Sequence, residues 1–269
     1  MDIISEVKKK REFSGLPDSI VKKVVDDVSA SGLTGKFLVK DVRSMLRKYF
    51  GVFLTNRVVK PKDILDFESV LKSHKSSMKR EYSVLYSRLK DVVGEVDSII
   101  DFGCGVNGFS YEFLKECFGD VKYIGIEASN QIVKNMNLYF EEKKFALLGV
   151  PQIGEFRSNA QAYCLDLFNL EKVDNVVKNI KGQKLFFCFQ VVDALEKLER
   201  DFSKRFLLSL KKRMGIDDWL IISLPMVSLS SKSEFKVKRN WLFDFLSGEF
   251  DVAEDFILFG ERFLVMQGL

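Results

Sequence analysis

Two hydrophobic periods divide this chain. Through the first 95 residues apolar positions recur every three or four residues, the spacing of one helix face. In "LPDSIVKKVVDDVSAS" (16–31), Ile20, Val21, Val24, Val25 and Val28 fall on that period, and Pro17 stands near the first turn. "KFLVKDVRSMLRKYF" (36–50) places Val39, Val42, Leu46 and Tyr49 on one stripe, and "DILDFESVLKSH" and "KREYSVLYSRLKDVV" continue the pattern. From about residue 97 short apolar runs ended by Gly or an acid alternate with amphipathic stretches. "SIIDFG", "KYIGIEAS", "AYCLDLF", "KLFFCFQ" and "WLIISLP" read as strands, with helices over "SYEFLKECFG" and "NQIVKNMNLYFEEK" between them. "VVDALEKLERDFSKRFLLSLKKRM" (191–214) reads as one long helix with Val191, Leu195, Leu198, Phe202, Phe206 and Leu210 buried. "FDVAEDFILFG" and "ERFLVMQ" read as a closing hairpin.

Strands alternating with helices predict an α/β fold: a Rossmann-like, mostly parallel, doubly wound sheet with an antiparallel C-terminal hairpin. The expected organisation is a helical domain over residues 1–95 and a sheet domain over 96–269. Composition narrows the class further. No apolar run approaches the roughly 20 residues that span a bilayer, and the N-terminus lacks the apolar core of a signal peptide. Cys104, Cys117, Cys164 and Cys188 are scattered without metal-ligand or disulfide spacing. The expectation is a cytoplasmic protein without a metal, most simply a monomer.

Charge changes the picture more. The net charge is only +4, yet between residues 36 and 80 twelve Lys/Arg stand against four Asp/Glu. Lys36, Lys40, Arg43 and Arg47 recur at helical steps on a face away from the apolar stripe, joined by Lys48, Arg57, Lys75 and Lys79. A cationic region attached to a near-neutral body fits a polyanionic partner.

The chemistry centres on "IIDFGCGVNGFS" (99–110), whose Gly103, Gly105 and Gly108 fit G-x-G-x-x-G after a first strand. Such a loop lets backbone N–H groups approach a ligand, but the pattern alone does not distinguish a pyrophosphate from an adenosine-linked methionine. Three acids decide. Asp101 ends the first strand, Glu127 the second and Asp166 the third. A carboxylate beside the loop suits an ammonium or sulfonium and is awkward beside a pyrophosphate. Glu127 suits ribose hydroxyls, and Asp166 an adenine amino group. Together they favour S-adenosylmethionine over a nicotinamide, with Gly103, Cys104 and Gly105 lining it.

The same stretches carry a resemblance. "HKSSMKREY" (74–82) followed by "IIDFGCGVNGFS" resembles the aminoglycoside-resistance 16S rRNA guanine-N7 methyltransferases. In that family His-x-Ser-(Ser/Thr)-x-x-Arg precedes Leu-Asp-x-(Ala/Gly)-Cys-Gly-x-Asn. His74, Ser76, Ser77 and Arg80 match the first motif; Asp101, Cys104, Gly105 and Asn107 match the second. "LPDSIVKKVV", "FCFQVVDALEKLER", "IISLPMVSL" and the closing strand pair are similar to further family segments in the same order. The resemblance implies that Arg80 pairs with the donor carboxylate and that the residue after the fourth strand, here Gln190, borders the donor. It also implies that the partner is the small ribosomal subunit, with the basic helices docking 16S rRNA.

The chain departs from the family in several places. Gln190 stands where the family has lysine, Asp193 where it has proline, and Glu127 where an aspartate is usual. "SSKSEFKV" (230–237) replaces a glycine-rich basic loop but keeps Lys232 and Lys236 as candidate RNA contacts. Attack by guanine N7, which carries no proton, requires no general base, in keeping with a chain that has one histidine and no nucleophile–base pair. Phe109, Tyr111 and Phe189 are candidates to stack on an exposed base. A small-molecule or protein methyltransferase on the same core, and a non-catalytic ribosome-binding relative, are the competing readings.

Overall fold

The computed structural model describes residues 2–50, 54, 56–148, 159–226 and 239–268. Six helices come first: α1 (Ile3–Lys8), α2 (Asp18–Ser29), α3 (Gly35–Phe50), α4 (Asn56–Val59), α5 (Phe67–Ser73) and α6 (Tyr82–Val93). Val21, Val24, Val42 and Leu46 are buried as the periodicity requires, whereas Val25, Val28 and Tyr49 are only half-buried. Short α1 and α4 carry too few apolar positions to declare a period, and sequence reasoning did not foresee them.

After them β1 (Ser98–Phe102), α7 (Tyr111–Phe118), β2 (Lys122–Glu127), α8 (Asn130–Leu148), β3 (Ala160–Cys164) and α9 (Leu170–Val177) follow in order. Then come β4 (Lys184–Phe189), α10 (Val192–Leu198), α11 (Phe202–Lys211), β5 (Trp219–Pro225), α12 (Asn240–Glu249), β6 (Asp251–Leu258) and β7 (Glu261–Gln267). The seven strands pair in the order β3-β2-β1-β4-β5-β7-β6. The first five run parallel, and β7 pairs antiparallel with both β5 and β6. Strand order reverses between β1 and β4, so a crevice opens at their carboxyl ends, the usual ligand position in such sheets.

The pleat sorts the core into two layers. Ile99, Leu185, Phe187 and Ile221 join one buried cluster, while Ile100, Phe186, Leu220 and Ile222 join the other. Both sheet faces are therefore covered, which explains why β1, β4 and β5 read as continuous apolar runs rather than alternating ones. The first cluster extends without a break from Val7 of α1 through Leu85 and Tyr86 of α6 to Val265 of β7. Packing thus continues across residue 95, where the composition changes.

The long helix expected over 191–214 is two. α10 ends at Leu198, and Asp201 adopts a left-handed conformation at φ 60° before α11 begins. Glu196 stabilises the break, accepting hydrogen bonds from the Asp201 N–H (2.7 Å) and the Ser203 hydroxyl (2.6 Å). Leu198 is consequently only half-buried. Among the described residues no helix is long and apolar enough to cross a membrane, and no cluster of His, Cys, Asp and Glu is arranged to hold a metal ion.

Candidate functional site

The glycine loop turns sharply at the end of β1. Gly103 lies at φ +64° and Gly105 at +53°, a region that costs an L-residue roughly 1–2 kcal/mol. At Gly103 a Cβ would also come within 2.6 Å of Val191 Cγ2, so the loop can pass under α10 only without a side chain there. The Cys104 N–H donates to the Ile126 carbonyl (3.1 Å), which ties the loop to β2.

Asp101 anchors the loop from behind. It is fully buried, and its Oδ2 accepts from Asn107 Nδ2 (2.6 Å) and the Tyr123 hydroxyl (2.9 Å). Oδ1 has no hydrogen-bond partner among the described residues. Burial pushes the Asp101 carboxyl up to about 7, against the pull of Asn107 and Tyr123. Asp101 does not line the cavity in front of the loop, and its Oδ2 is taken by Asn107 and Tyr123.

That cavity spans about 990 Å³ of open space, counting its mouth. Gly103, Cys104, Gly105, Glu127, Asp166, Arg80 and Gln190 all line it, so seven of the eight expected donor-site residues converge. Glu127 sits at the tip of β2, where its Oε2 accepts from the Gly105 N–H (3.0 Å) and its Oε1 from the Ser129 N–H (2.9 Å). Burial raises its pKa, partly offset by these amides. Each oxygen keeps further acceptor capacity for a hydroxyl in the cavity. Asp166, just past β3, accepts from the Phe168 N–H (2.9 Å) and from the Ser19 hydroxyl (2.5 Å).

The segment 74–80 folds as two tight turns, Ser77 N–H to His74 carbonyl (3.1 Å) and Arg80 N–H to Ser77 carbonyl (2.8 Å). The turns aim His74, Ser76, Ser77 and Arg80 at the cavity and leave Lys75, Met78 and Lys79 exposed outside. His74 Nδ1 lies 2.7 Å from the Ser76 hydroxyl. Burial, with the Arg80 charge assisting, pushes the imidazole down to about 3, so it is neutral near pH 7. Arg80 is buried, and its Nε and Nη2 each donate to Glu261 at 2.8 Å. That pair occupies the Nε–Nη2 edge of the guanidinium, and its five N–H groups leave the second, Nη1–Nη2 edge to take a bound carboxylate. Glu261 also accepts from the Ser223 hydroxyl (2.8 Å).

Gln190, at the tip of β4, holds a positive φ of 57°, uncommon for a residue with a side chain. Its N–H donates to the Ser223 carbonyl (3.0 Å) and its Nε2 to the Ser76 carbonyl (3.4 Å). The departure at Asp193 has a structural partner. Arg239 is buried, and its Nε and Nη2 donate to the Asp193 carboxylate at 2.9 and 2.6 Å.

Leu16, Ile20, Tyr49 and Phe50 complete the cavity wall from the N-terminal helices. Sequence reasoning missed them, since each reads as an ordinary position of an amphipathic helix. Of the stacking candidates, Phe109 and Tyr111 are buried in an aromatic cluster with Tyr139 and Phe140, and only Phe189 reaches the cavity.

The basic residues separate into two groups. Lys36, Lys40 and Lys48 are exposed on α3. Arg43 instead turns inward to the backbone carbonyls of Glu6 and Val7, and Arg47 pairs with Glu12 (2.6 Å). Arg57 belongs to α4, but its side chain lies outside the described residues, as do Lys232 and Lys236.

No protein-family model and no curated protein matches the sequence. Solved structures do match the fold. The 16S rRNA methylase RmtB is 14% identical, covers 100% of this chain and 98% of its own, and superposes with a TM-score of 0.70. An rRNA methylase from Escherichia coli is 14% identical over 100% and 99%, with a TM-score of 0.71. The 16S rRNA methyltransferase RmtF, solved with S-adenosyl-L-homocysteine, is 15% identical over 99% and 97%, with a TM-score of 0.74. At these identities the likeness is one of fold, and it is complete: from the N-terminal helices to the closing hairpin, the chain has the fold of the 16S rRNA methylases.

Proposed function

We propose that the protein is an S-adenosylmethionine-dependent methyltransferase that modifies 16S rRNA in the small ribosomal subunit, at N7 of a decoding-site guanine. One observation carries the reading. The solved rRNA methylases are matched over the whole chain, N-terminal helices included, and those helices form part of the wall of the cavity bounded by the glycine loop, Glu127 and Asp166.

The residues present fit the donor. A cavity that is mostly apolar takes an adenine ring and a thioether chain, and the carboxylates at its edge match ribose hydroxyls and an exocyclic amino group. When bound, S-adenosylmethionine supplies an electrophilic methyl group on a cationic sulfur. Glu127 and Asp166 would hold the nucleoside, the Nη1–Nη2 edge of Arg80 would meet the carboxylate, and Gly103 to Gly105 would present backbone to the donor. Guanine N7 attacks with a lone pair and releases no proton at that atom, so positioning and electrostatics suffice. The neutral His74 and its Ser76 partner are then positioning groups rather than a proton relay.

The exposed Lys36, Lys40, Lys48, Lys75 and Lys79 would contact RNA phosphates, with the helices of residues 1–95 as the docking face and residues 96–269 as the donor-binding body. A ribosomal partner places the protein in the cytoplasm. The experiment is incubation of 30S subunits with methyl-tritiated donor, then mass-spectrometric mapping of the modified nucleotide. A single N7-methylguanosine in 16S rRNA is expected. Donor binding without label in rRNA would overturn the reading in favour of another acceptor.

A further inference from the structure

Asp166 stands in a wall between two spaces. One is the inner cavity; the other is an outer groove lined by Gly15, Pro17, Ser19, Lys23 and Asn130. Ser19, in the first turn of α2, lines only the groove, and from that side its hydroxyl donates to Asp166 Oδ2 at 2.5 Å across 147 positions of sequence. The Phe168 N–H holds Oδ1 at 2.9 Å. The carboxylate is thus fixed by two donors, one on each oxygen, while its residue still borders the inner cavity. A carboxylate accepts about four hydrogen bonds, so it has capacity left for a donor arriving from inside.

The segment leading into the helix that supplies Ser19 is strapped to the first turn of α8. The Asn130 N–H donates to the Gly15 carbonyl (3.0 Å), and Gln131 Nε2 donates to the Arg11 carbonyl (3.1 Å) and the Ser14 hydroxyl (2.9 Å). Lys23 pairs with Glu199, and its ammonium lies 4.4 Å from the Phe168 ring centre. The same helix region sends Leu16 and Ile20 into the inner cavity.

We infer that Ser19 is a positioning residue of the donor site: from the N-terminal helices it fixes the Asp166 carboxylate so that it accepts the amino group of an adenine ring bound in the inner cavity. The inference rests on the methyl-donor reading above. Deleting the Ser19 hydroxyl frees the carboxylate to rotate, and the loss falls specifically on ligands that carry the amino group.

The test uses calorimetric titration of the full chain with S-adenosylhomocysteine and with its analogue bearing hydrogen in place of the adenine amino group. Ser19→Ala is expected to weaken S-adenosylhomocysteine about tenfold, the scale of one hydrogen bond to a charged group. It should leave the analogue within about twofold of its affinity for the unaltered protein, because no amino group is there to lose. Ser19→Thr, which keeps the hydroxyl, restores the amino-bearing ligand. Lys23→Met removes a strap interaction without touching Asp166 and retains the preference between the two ligands. Equal losses on both ligands in Ser19→Ala would mean a merely structural role and overturn the inference, as would no loss on either. Failure of the unaltered protein to bind S-adenosylhomocysteine would instead overturn the donor reading itself.

Discussion

Arg80 and Glu261, 181 residues apart, face each other through two parallel hydrogen bonds of 2.8 Å, with both side chains almost wholly shielded from water. The pair joins the turn before α6 to the first residue of β7, and its arginine borders the cavity. It therefore couples the rim of the site to the closing hairpin.

Removing one partner leaves the other charge buried. Burial by itself opposes ionisation of Glu261, but the Arg80 charge and hydrogen bonds win, and the carboxyl titrates below the usual glutamate range. A depressed carboxylate contributes stability that is present above its unfolded pKa and lost as pH falls through the folded value. Glu261→Ala should cost about 3–5 kcal/mol in urea unfolding at pH 7. The gap from the unaltered protein should narrow below pH 4. A cost under 1 kcal/mol would show that water reaches Arg80.

Asp101 should act in the opposite direction. Burial holds its carboxyl at about 7 in the folded chain, against roughly 3.9 when unfolded. Between those values the native state keeps a proton that the unfolded state has lost, so stability falls as pH rises from about 4 to 7 and then levels. Asp101→Asn removes this slope while keeping an acceptor for Tyr123. The variant should gain on the unaltered protein as pH is raised from 5 to 8, read as the difference in unfolding midpoint. A difference independent of pH would place the Asp101 titration outside this window.

His74 offers a direct spectroscopic check, because it is the only histidine in the chain. Its folded pKa of about 3 lies below the unfolded value of roughly 6.5. The neutral imidazole then contributes stability that is complete above 6.5 and declines as pH falls toward 3, opposing the Asp101 slope where the two overlap. Imidazole nitrogen shifts should stay those of one neutral tautomer from pH 8 to pH 5. Titration near 6.5 would show an exposed ring.

Much of this site was legible because its residues sit at strand tips. An apolar run followed by Gly or an acid marks a tip, and the α/β pattern brings tips together, so Gly103, Glu127 and Asp166 could be grouped from the sequence, while Gln190 was reached only through the family resemblance. What escaped depends on contacts between distant segments. Ser19 reads as an ordinary first-turn residue, and nothing near it in sequence announces Asp166. Asp101 stands at the expected tip but does not line the cavity, and its Asn107 and Tyr123 partners were not legible in the sequence. The break at Asp201 escaped because the apolar period continues through it while the backbone does not.

The two loop glycines should differ in what a methyl group costs. Both have positive φ, but a Cβ at Gly103 meets Val191 at 2.6 Å, whereas at Gly105 the nearest atom, His74 Cε1, lies 3.6 Å away. Gly105→Ala bears the backbone penalty alone, about 1–2 kcal/mol. Gly103→Ala adds overpacking of about 1–3 kcal/mol. Urea midpoints should therefore fall further for Gly103→Ala, and the reverse order would mean that α10 yields to the loop.

The basic helix should separate binding from stability. Lys36, Lys40 and Lys48 are exposed on α3, so neutralising them to Gln should change stability by no more than about 0.5 kcal/mol. If they meet phosphates, affinity for 30S subunits falls, and the slope of log affinity against log salt flattens by roughly 0.7–0.9 for each phosphate no longer neutralised. Arg43→Gln behaves differently. The guanidinium is held by the carbonyls of Glu6 and Val7, and losing a charged hydrogen bond there should cost about 1.5–3 kcal/mol of stability. The salt slope for 30S binding should barely change. A lysine triple variant with an unaltered salt slope would move the RNA-docking face off α3, leaving the exposed Lys75 and Lys79 of the 74–80 turns as the next cations to neutralise.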